Sequence, residues 1–247
     1  MRAIDLNADM GEYADAAQRA IETALMPFVS SCSIACGGHA GTETTMRETA
    51  RLAKAHGVSA GAHPSYPDRD NFGRRSLAAP AAELASSLQT QIAALKSVLD
   101  AEGMKLAHVK PHGALYNDAA KDITLARLVA TAAAGAVLVG PPGSMLETAA
   151  KELHAPFAAE GFVDRLYLKS GALTPRSQPG AVIADTAVRA RQALAIARNE
   201  KIAAADGELT LSVVTLCIHS DSPGAVDTAR AVRDALDANG FSIRTFA

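Results

Sequence analysis

Seven short runs that read as β-strands, spaced by stretches that read as helices, recur along this chain of 247 residues. They are AIDLNAD (3–9), SCSIACGG (31–38), GVSAGAH (57–63), KLAHVKPH (105–112), AVLVGPPG (136–143), APFAAEGF (155–162) and LTLSVVTLCIHS (209–220). Strand, helix, strand at intervals of about 30 residues or more is the signature of repeated βαβ units and a parallel sheet. Seven such units can close on themselves, so the expectation is a deformed TIM-like α/β barrel of seven parallel strands, one domain over 1–247. An open doubly wound sheet is the alternative. Its strands, covered by helices on both sides, would be apolar at nearly every position.

These strands alternate instead. In DLNADMGE (5–12), Asp5, Asn7 and Asp9 take every second position, with Leu6, Ala8 and Met10 between them. Successive strand side chains point to opposite faces, which predicts the polar set inside the barrel and the apolar set against the helices. The fourth run places His108, Lys110 and His112 on one face, and the third leads through Ser59 and Gly61 to His63. His39 and His219 end their runs, and Glu160, Asp164 and Arg165 follow the sixth. An α/β barrel carries its chemistry at the carboxyl ends of its strands. Any one of these residues has a bland reading: a strand-end histidine is more often a hydrogen-bonded structural residue, and Asp5 could simply brace the base. Convergence from at least four strands outweighs it.

Between the strands, Pro80 opens a helix whose Leu84, Leu88, Ile92, Leu95 and Leu99 recur near the 3.6 period. Thr42 and Asp122 read as helix caps. Ser222 reads as the N-cap, with Pro223 in the first turn, of a helix that runs through Val226, Ala229, Val232 and Leu236 to Asn239-Gly240. A loop insertion near 163–184, holding Pro175, Pro179 and Gly180, should precede a helix over 185–203.

Composition narrows the function. Lys plus Arg (24) nearly balances Asp plus Glu (26) with no basic block, unlike a nucleic-acid binder. The longest apolar stretch, near 130–140, is shorter than the ~20 residues a membrane span needs. Asp5 and Asp9 break any signal-peptide pattern, so a cytoplasmic setting is expected. Cys32, Cys36 and Cys217 have neither disulfide nor zinc-finger spacing and read as small buried residues. GPPGSM (140–145) lacks the lysine of a phosphate-binding loop and reads as an ordinary strand-to-helix turn.

The strings DLNADMGE (5–12), IACGGHAG (34–41), GAHPSYPDRDNFGRR (61–75), VKPHGALYN (109–117), FVDRLY (162–167) and LCIHSDSPGAV (216–226) together closely resemble the LamB/YcsF family, in order and over nearly the whole chain. The resemblance implies a barrel akin to glycoside hydrolases and polysaccharide deacetylases. It also implies ATP-dependent hydrolytic opening of 5-oxoproline to glutamate together with two partner subunits, B and C. Ala8, Met10, Gly38 and Ser220 stand where the family usually has Cys, Leu, Phe and Gly. Ala8 argues against a cysteine nucleophile at that position, and Gly38 is expected to widen the pocket beside His39.

Given that reaction, Asp9 or His63 is expected to activate water, while Lys110 and His112 stabilise oxyanion or phosphoryl charge. Arg74, Arg75, Arg165 and Arg176 are candidates to grip a carboxylate or phosphate. Asn7, Glu12, His39, Glu160 and His219 complete the expected binding set. ATP is expected as co-substrate, handled with the partners. Two other readings stand beside this one: a metal-dependent amide or carbohydrate deacetylase drawing ligands from Asp9, His39, His63, His112 and His219, and a non-catalytic scaffold subunit. With no HxxxH or HExxH pair on a helix, no metal on the protein itself is expected.

Overall fold

The computed structural model describes residues 2–247. In chain order the elements are β1 (Arg2–Met10), α1 (Ala16–Leu25), β2 (Ser31–Ala35), α2 (Glu43–His56), β3 (Ser59–His63), α3 (Ala81–Ala101), β4 (His108–Val109), α4 (Gly113–Ala119), α5 (Ile123–Ala132), β5 (Val137–Gly140) and α6 (Met145–Glu152). There follow β6 (Phe157–Phe162), α7 (Thr186–Ala197), β7 (Lys201–Ala204), β8 (Gly207–Thr210), β9 (Thr215–Ile218), α8 (Ala225–Ala238) and β10 (Phe241–Ile243).

Strands β1 to β6 pair in sequence, β9 follows β6, and β9 returns to β1 with Asp5 opposite Thr215 and Ala8 opposite Ile218. Every one of these pairings is parallel, so seven strands close a barrel. The lower part of β1 also pairs with β10, Arg2 opposite Phe241. Both faces of β1 are buried from Ile4 onward, with Leu6, Ala8 and Met10 in the apolar layer under the helices. Against that layer α3 buries Leu84, Leu88, Ile92, Leu95 and Leu99, each worth about 1.5–3 kcal/mol when fully withdrawn from water. Thr42 accepts from the Thr45 N–H and Asp122 from those of Thr124 and Leu125, as their sequence positions suggest.

The barrel interior is polar and satisfied largely by cross-strand bonds. Asp5 accepts from the hydroxyls of Ser30, Ser31 and Thr215, and Asn7 donates to Glu160 and Thr215. His108 reaches Ser33 across β3 at 3.1 Å. It can do so because Gly61 lies between them, where a Cβ would overlap the imidazole. Gly61→Ala is therefore expected to cost about 2–3 kcal/mol of unfolding free energy, most of it recovered in Gly61→Ala/His108→Ala, as read by denaturant titration.

Burial pushes the Asp5 carboxyl up to about 6 from 3.8, against the pull of the hydroxyls around it. A carboxyl with a raised folded pKa supports the fold below its unfolded pKa and loses that support as pH rises through its folded one. Stability should thus fall by roughly 3 kcal/mol between pH ~4 and ~7 from this group alone, and Asp5→Asn should flatten that slope in thermal melts.

Four local expectations need correction. The run over 105–112 forms a strand only at His108–Val109, because Pro111 has no N–H to pair; Lys110 and His112 still donate singly to the carbonyls of Ala62 and Pro64. The helix expected to reach 203 ends at Ala197, after which Asn199 turns left-handed and β7 and β8 form an antiparallel hairpin. The β-branched run over 209–220 is two strands, since its first residues belong to the hairpin and Thr215–Ile218 to the barrel. The last helix begins at Ala225 behind a left-handed Gly224, not at Ser222, whose hydroxyl is spent on Asp164. Among the described residues no helix is long and apolar enough to cross a membrane.

Candidate active site

At the carboxyl ends of the strands Lys110, only 2% exposed, is ringed by partners. Its ammonium lies 2.9 Å from Asp9 Oδ1, 2.8 Å from Glu160 Oε1, 3.3 Å from Asn7 Oδ1 and 3.2 Å from Cys217 Sγ. The Phe162 ring lies beneath it at 5.5 Å. Burial alone would discharge this lysine, but the Asp9 and Glu160 carboxylates outweigh it and hold its pKa well above the usual value. Asp9 shows the reverse balance: burial raises it, while His63 and Lys110 pull it well below the carboxylate range. Burial pushes the Cys217 thiol up, so it stays neutral. Glu160 Oε2 and the Tyr116 hydroxyl are buried without protein partners.

Beside this floor stands a wall of imidazoles. His63 ends β3 and uses Nδ1 on the Lys110 carbonyl at 2.7 Å; His112, just past β4, uses Nε2 on the Phe72 carbonyl at 3.0 Å. Their other nitrogens, His63 Nε2 and His112 Nδ1, face each other at 2.9 Å. His39 stacks on His112 at 3.6 Å and meets Glu12 Oε1 through Nε2 at 2.8 Å. Burial depresses His39 and His112, whereas Asp9 lifts His63 against burial. Glu12 is presented by a turn at Gly11, φ 73°, whose N–H groups at Gly11 and Glu12 both donate to Glu22 on α1.

The rim is basic. Arg74 and Arg176 both bind Asp221, two guanidiniums on one carboxylate. His219 is held by Asp164 at 2.8 Å and stacks on Phe162 at 5.2 Å. Burial raises Asp164, but the His219 and Ser222 contacts bring it down to about 2. Together these groups enclose a cavity of about 350 Å³ whose lining includes Asp9, Glu12, His63, Lys110, His112 and His219. A second cavity, about 290 Å³, shares Tyr116 and Phe162 with it and reaches Glu160.

Most residues singled out in the sequence therefore meet at one place, with exceptions. Arg75 is exposed and lines neither cavity. Asn7 lies beneath the floor, and His39 stands behind Glu12 rather than on the cavity. Arg165 lines the cavity but spends its guanidinium on the carbonyls of Thr174 and Ala181, bracing the segment between β6 and α7. His112 turns Nε2 to the Phe72 carbonyl and leaves Nδ1 facing His63 and Glu12. Gly38 does not widen the pocket, because Gln91 and Ser65 fill the space over it. In the 140–145 turn the Gly143 N–H donates to Glu147 of its own helix, and Ser144 caps that helix, so the turn serves itself rather than a phosphate. Sequence reading passed over Glu22, Tyr116 and Asp221. Only Asp221 left a signal, as the acid in the turn after β9.

The profile of the LamB/YcsF family matches residues 4–247. The chain is 46% identical to the A subunit of 5-oxoprolinase from Chloroflexus aggregans over 99% of both chains. The crystal structure of the lactam utilization protein from Thermus thermophilus superposes with a TM-score of 0.90 at 44% identity, covering 100% of each chain. Peptidoglycan deacetylase PdaC from Bacillus subtilis, at 13% identity and TM-score 0.51 over 99% of this chain and 88% of that one, shares the fold alone.

Proposed function

We propose, from the premise that this chain belongs to the LamB/YcsF family, that it opens the ring of 5-oxoproline to yield glutamate, as the A-type component of an ATP-dependent 5-oxoprolinase with B and C partners. The observation that carries this reading is the buried Lys110, clamped between Asp9 and Glu160 at the floor of a small cavity with a basic rim. A five-membered lactam with one carboxylate suits such a space. Arg74 and Arg176 share only Asp221, leaving net positive charge at the mouth for the substrate carboxylate.

An amide is a poor electrophile, and phosphorylation of its oxygen, performed with the partner subunits, would activate the ring carbon. Asp9, ionised and 3.4 Å from His63, is placed to take a proton from the attacking water. As the carbon–oxygen bond to water forms and the carbon–nitrogen bond breaks, the ring nitrogen takes up a proton and γ-glutamyl phosphate is left, which a second water hydrolyses to glutamate and inorganic phosphate. Lys110 stabilises the negative charge that gathers on the oxygens. The segment between β6 and α7 contributes Leu173, Thr174 and Arg176 to the cavity wall, so the chain works as one catalytic unit. Coupling to ATP sets the reaction in the cytoplasm.

The test is reconstitution. Glutamate should appear only when ATP, 5-oxoproline, this chain and both partners are present. Undiminished glutamate from the partners alone would reduce this chain to a scaffold.

A further inference from the structure

We propose that Glu12, His63 and His112 form a binding site for one divalent transition-metal ion of the zinc class, with an open face toward the cavity. The argument begins with ring tautomers. A backbone carbonyl can only accept, so the Lys110 carbonyl fixes the proton of His63 on Nδ1 and the Phe72 carbonyl fixes that of His112 on Nε2. Each ring then turns a bare lone pair inward, the two nitrogens lie 2.9 Å apart, and the Glu12 Oε1 carboxylate oxygen is 3.3 Å from one and 3.9 Å from the other. With both rings neutral, three acceptors converge with no donor between them, and Asp9 Oδ2 adds a fourth, 3.4 Å from His63 Nε2. One proton on His63 would serve a single pair and leave His112 Nδ1 facing Glu12; a cation serves all three.

The spacing and surroundings suit a metal. Bonds of about 2.0–2.2 Å at tetrahedral or octahedral angles set ligand atoms roughly 2.9–3.6 Å apart, close to the separations seen. Metal-bound histidines characteristically donate their second N–H to a carbonyl or carboxylate, as both rings do here. Glu12 is held from behind by His39 Nε2 and through its backbone by Glu22. His39 is a positioning residue, because its plane lies within 2° of His112 at 3.6 Å and one ion cannot sit in both ring planes. All three proposed ligands line the cavity, and a cation there could polarise an oxygen of a bound molecule. The ligands come from turns or strand ends after three different strands, which is why no pair of helical histidines marks the site in the sequence. This inference departs from the expectation of a metal-free chain and does not rest on the 5-oxoproline reading, since it is read without substrate.

The experiment uses the full chain, stripped with chelator, loaded with Zn²⁺ or Co²⁺ and desalted. One equivalent of metal per chain is expected by elemental analysis, and Co²⁺ should give a visible ligand-field band with two strongly shifted imidazole N–H resonances, from His63 and His112. Glu12→Gln and His112→Gln should weaken binding by about 100-fold or more, while His154→Gln, on the exposed surface, should leave it unchanged. Retained one-to-one binding in both ligand variants, or wild-type protein that holds no metal after desalting, would overturn the site. The Co²⁺ spectrum of the wild type decides the matter even if a variant fails to fold.

Discussion

Lys110→Met is expected to slow glutamate formation by the reconstituted enzyme by about 10²–10³-fold and to destabilise the chain by roughly 3–5 kcal/mol. Both effects have one source. The ammonium contacts two carboxylates at 2.8–2.9 Å in a setting nearly closed to water, and methionine keeps the side-chain length while removing the charge. Asp9 and Glu160 are then left facing one another, and breaking a buried pair from one side exposes the remaining charge to the full cost of burial. Stability and catalysis can be separated by adding Glu160→Gln. The Lys110→Met/Glu160→Gln protein should recover a good part of the lost unfolding free energy in urea and none of the lost turnover. Turnover near that of the wild type in a folded Lys110→Met protein would remove the lysine from the chemistry.

How much of this was readable in advance depends on which interactions carry a local pattern. The period-two alternation of β1 announced an interior polar face, because strand geometry alone fixes it. It did not distinguish Asp5 from Asp9: both lie on that face, yet one binds three hydroxyls at the base and the other a lysine and a histidine at the top. Depth along the barrel depends on strand stagger, which only the pairing register reveals. The pairing of the rim arginines with Asp221 escaped for another reason. Arg74, Arg176 and Asp221 come from three separate loops, and loops have no period by which a contact between positions 74 and 221 could be foreseen. The break at 211–214 was hidden because a hairpin strand and a barrel strand favour the same β-branched residues. Gly38 misled through an assumption that a missing side chain leaves a hole, when Gln91 from α3 had already filled it.

Asp9→Asn separates the two carboxylates that Lys110 holds. Turnover should drop by about 10²–10⁴-fold, the span of a lost general base, with KM changed only a few-fold. The fold should survive, because asparagine keeps an oxygen to accept from Lys110 and Glu160 still carries the opposing charge. Its stability signature has a definite sign. Asp9 is held well below its unfolded pKa, so it stabilises the native chain above that value and the support is lost as pH falls through the acid range. The gap in melting temperature between wild type and Asp9→Asn should therefore be largest near neutrality and shrink below about pH 4. Glu160→Gln is the counterpart: its carboxylate also meets Lys110 but lies off the main cavity, where it cannot reach a water poised over the substrate carbon. It should cost less in turnover than Asp9→Asn. If Glu160→Gln proves the more damaging of the two, the base belongs at Glu160 and the attacking water enters from the second cavity, beside the unpaired Tyr116 hydroxyl.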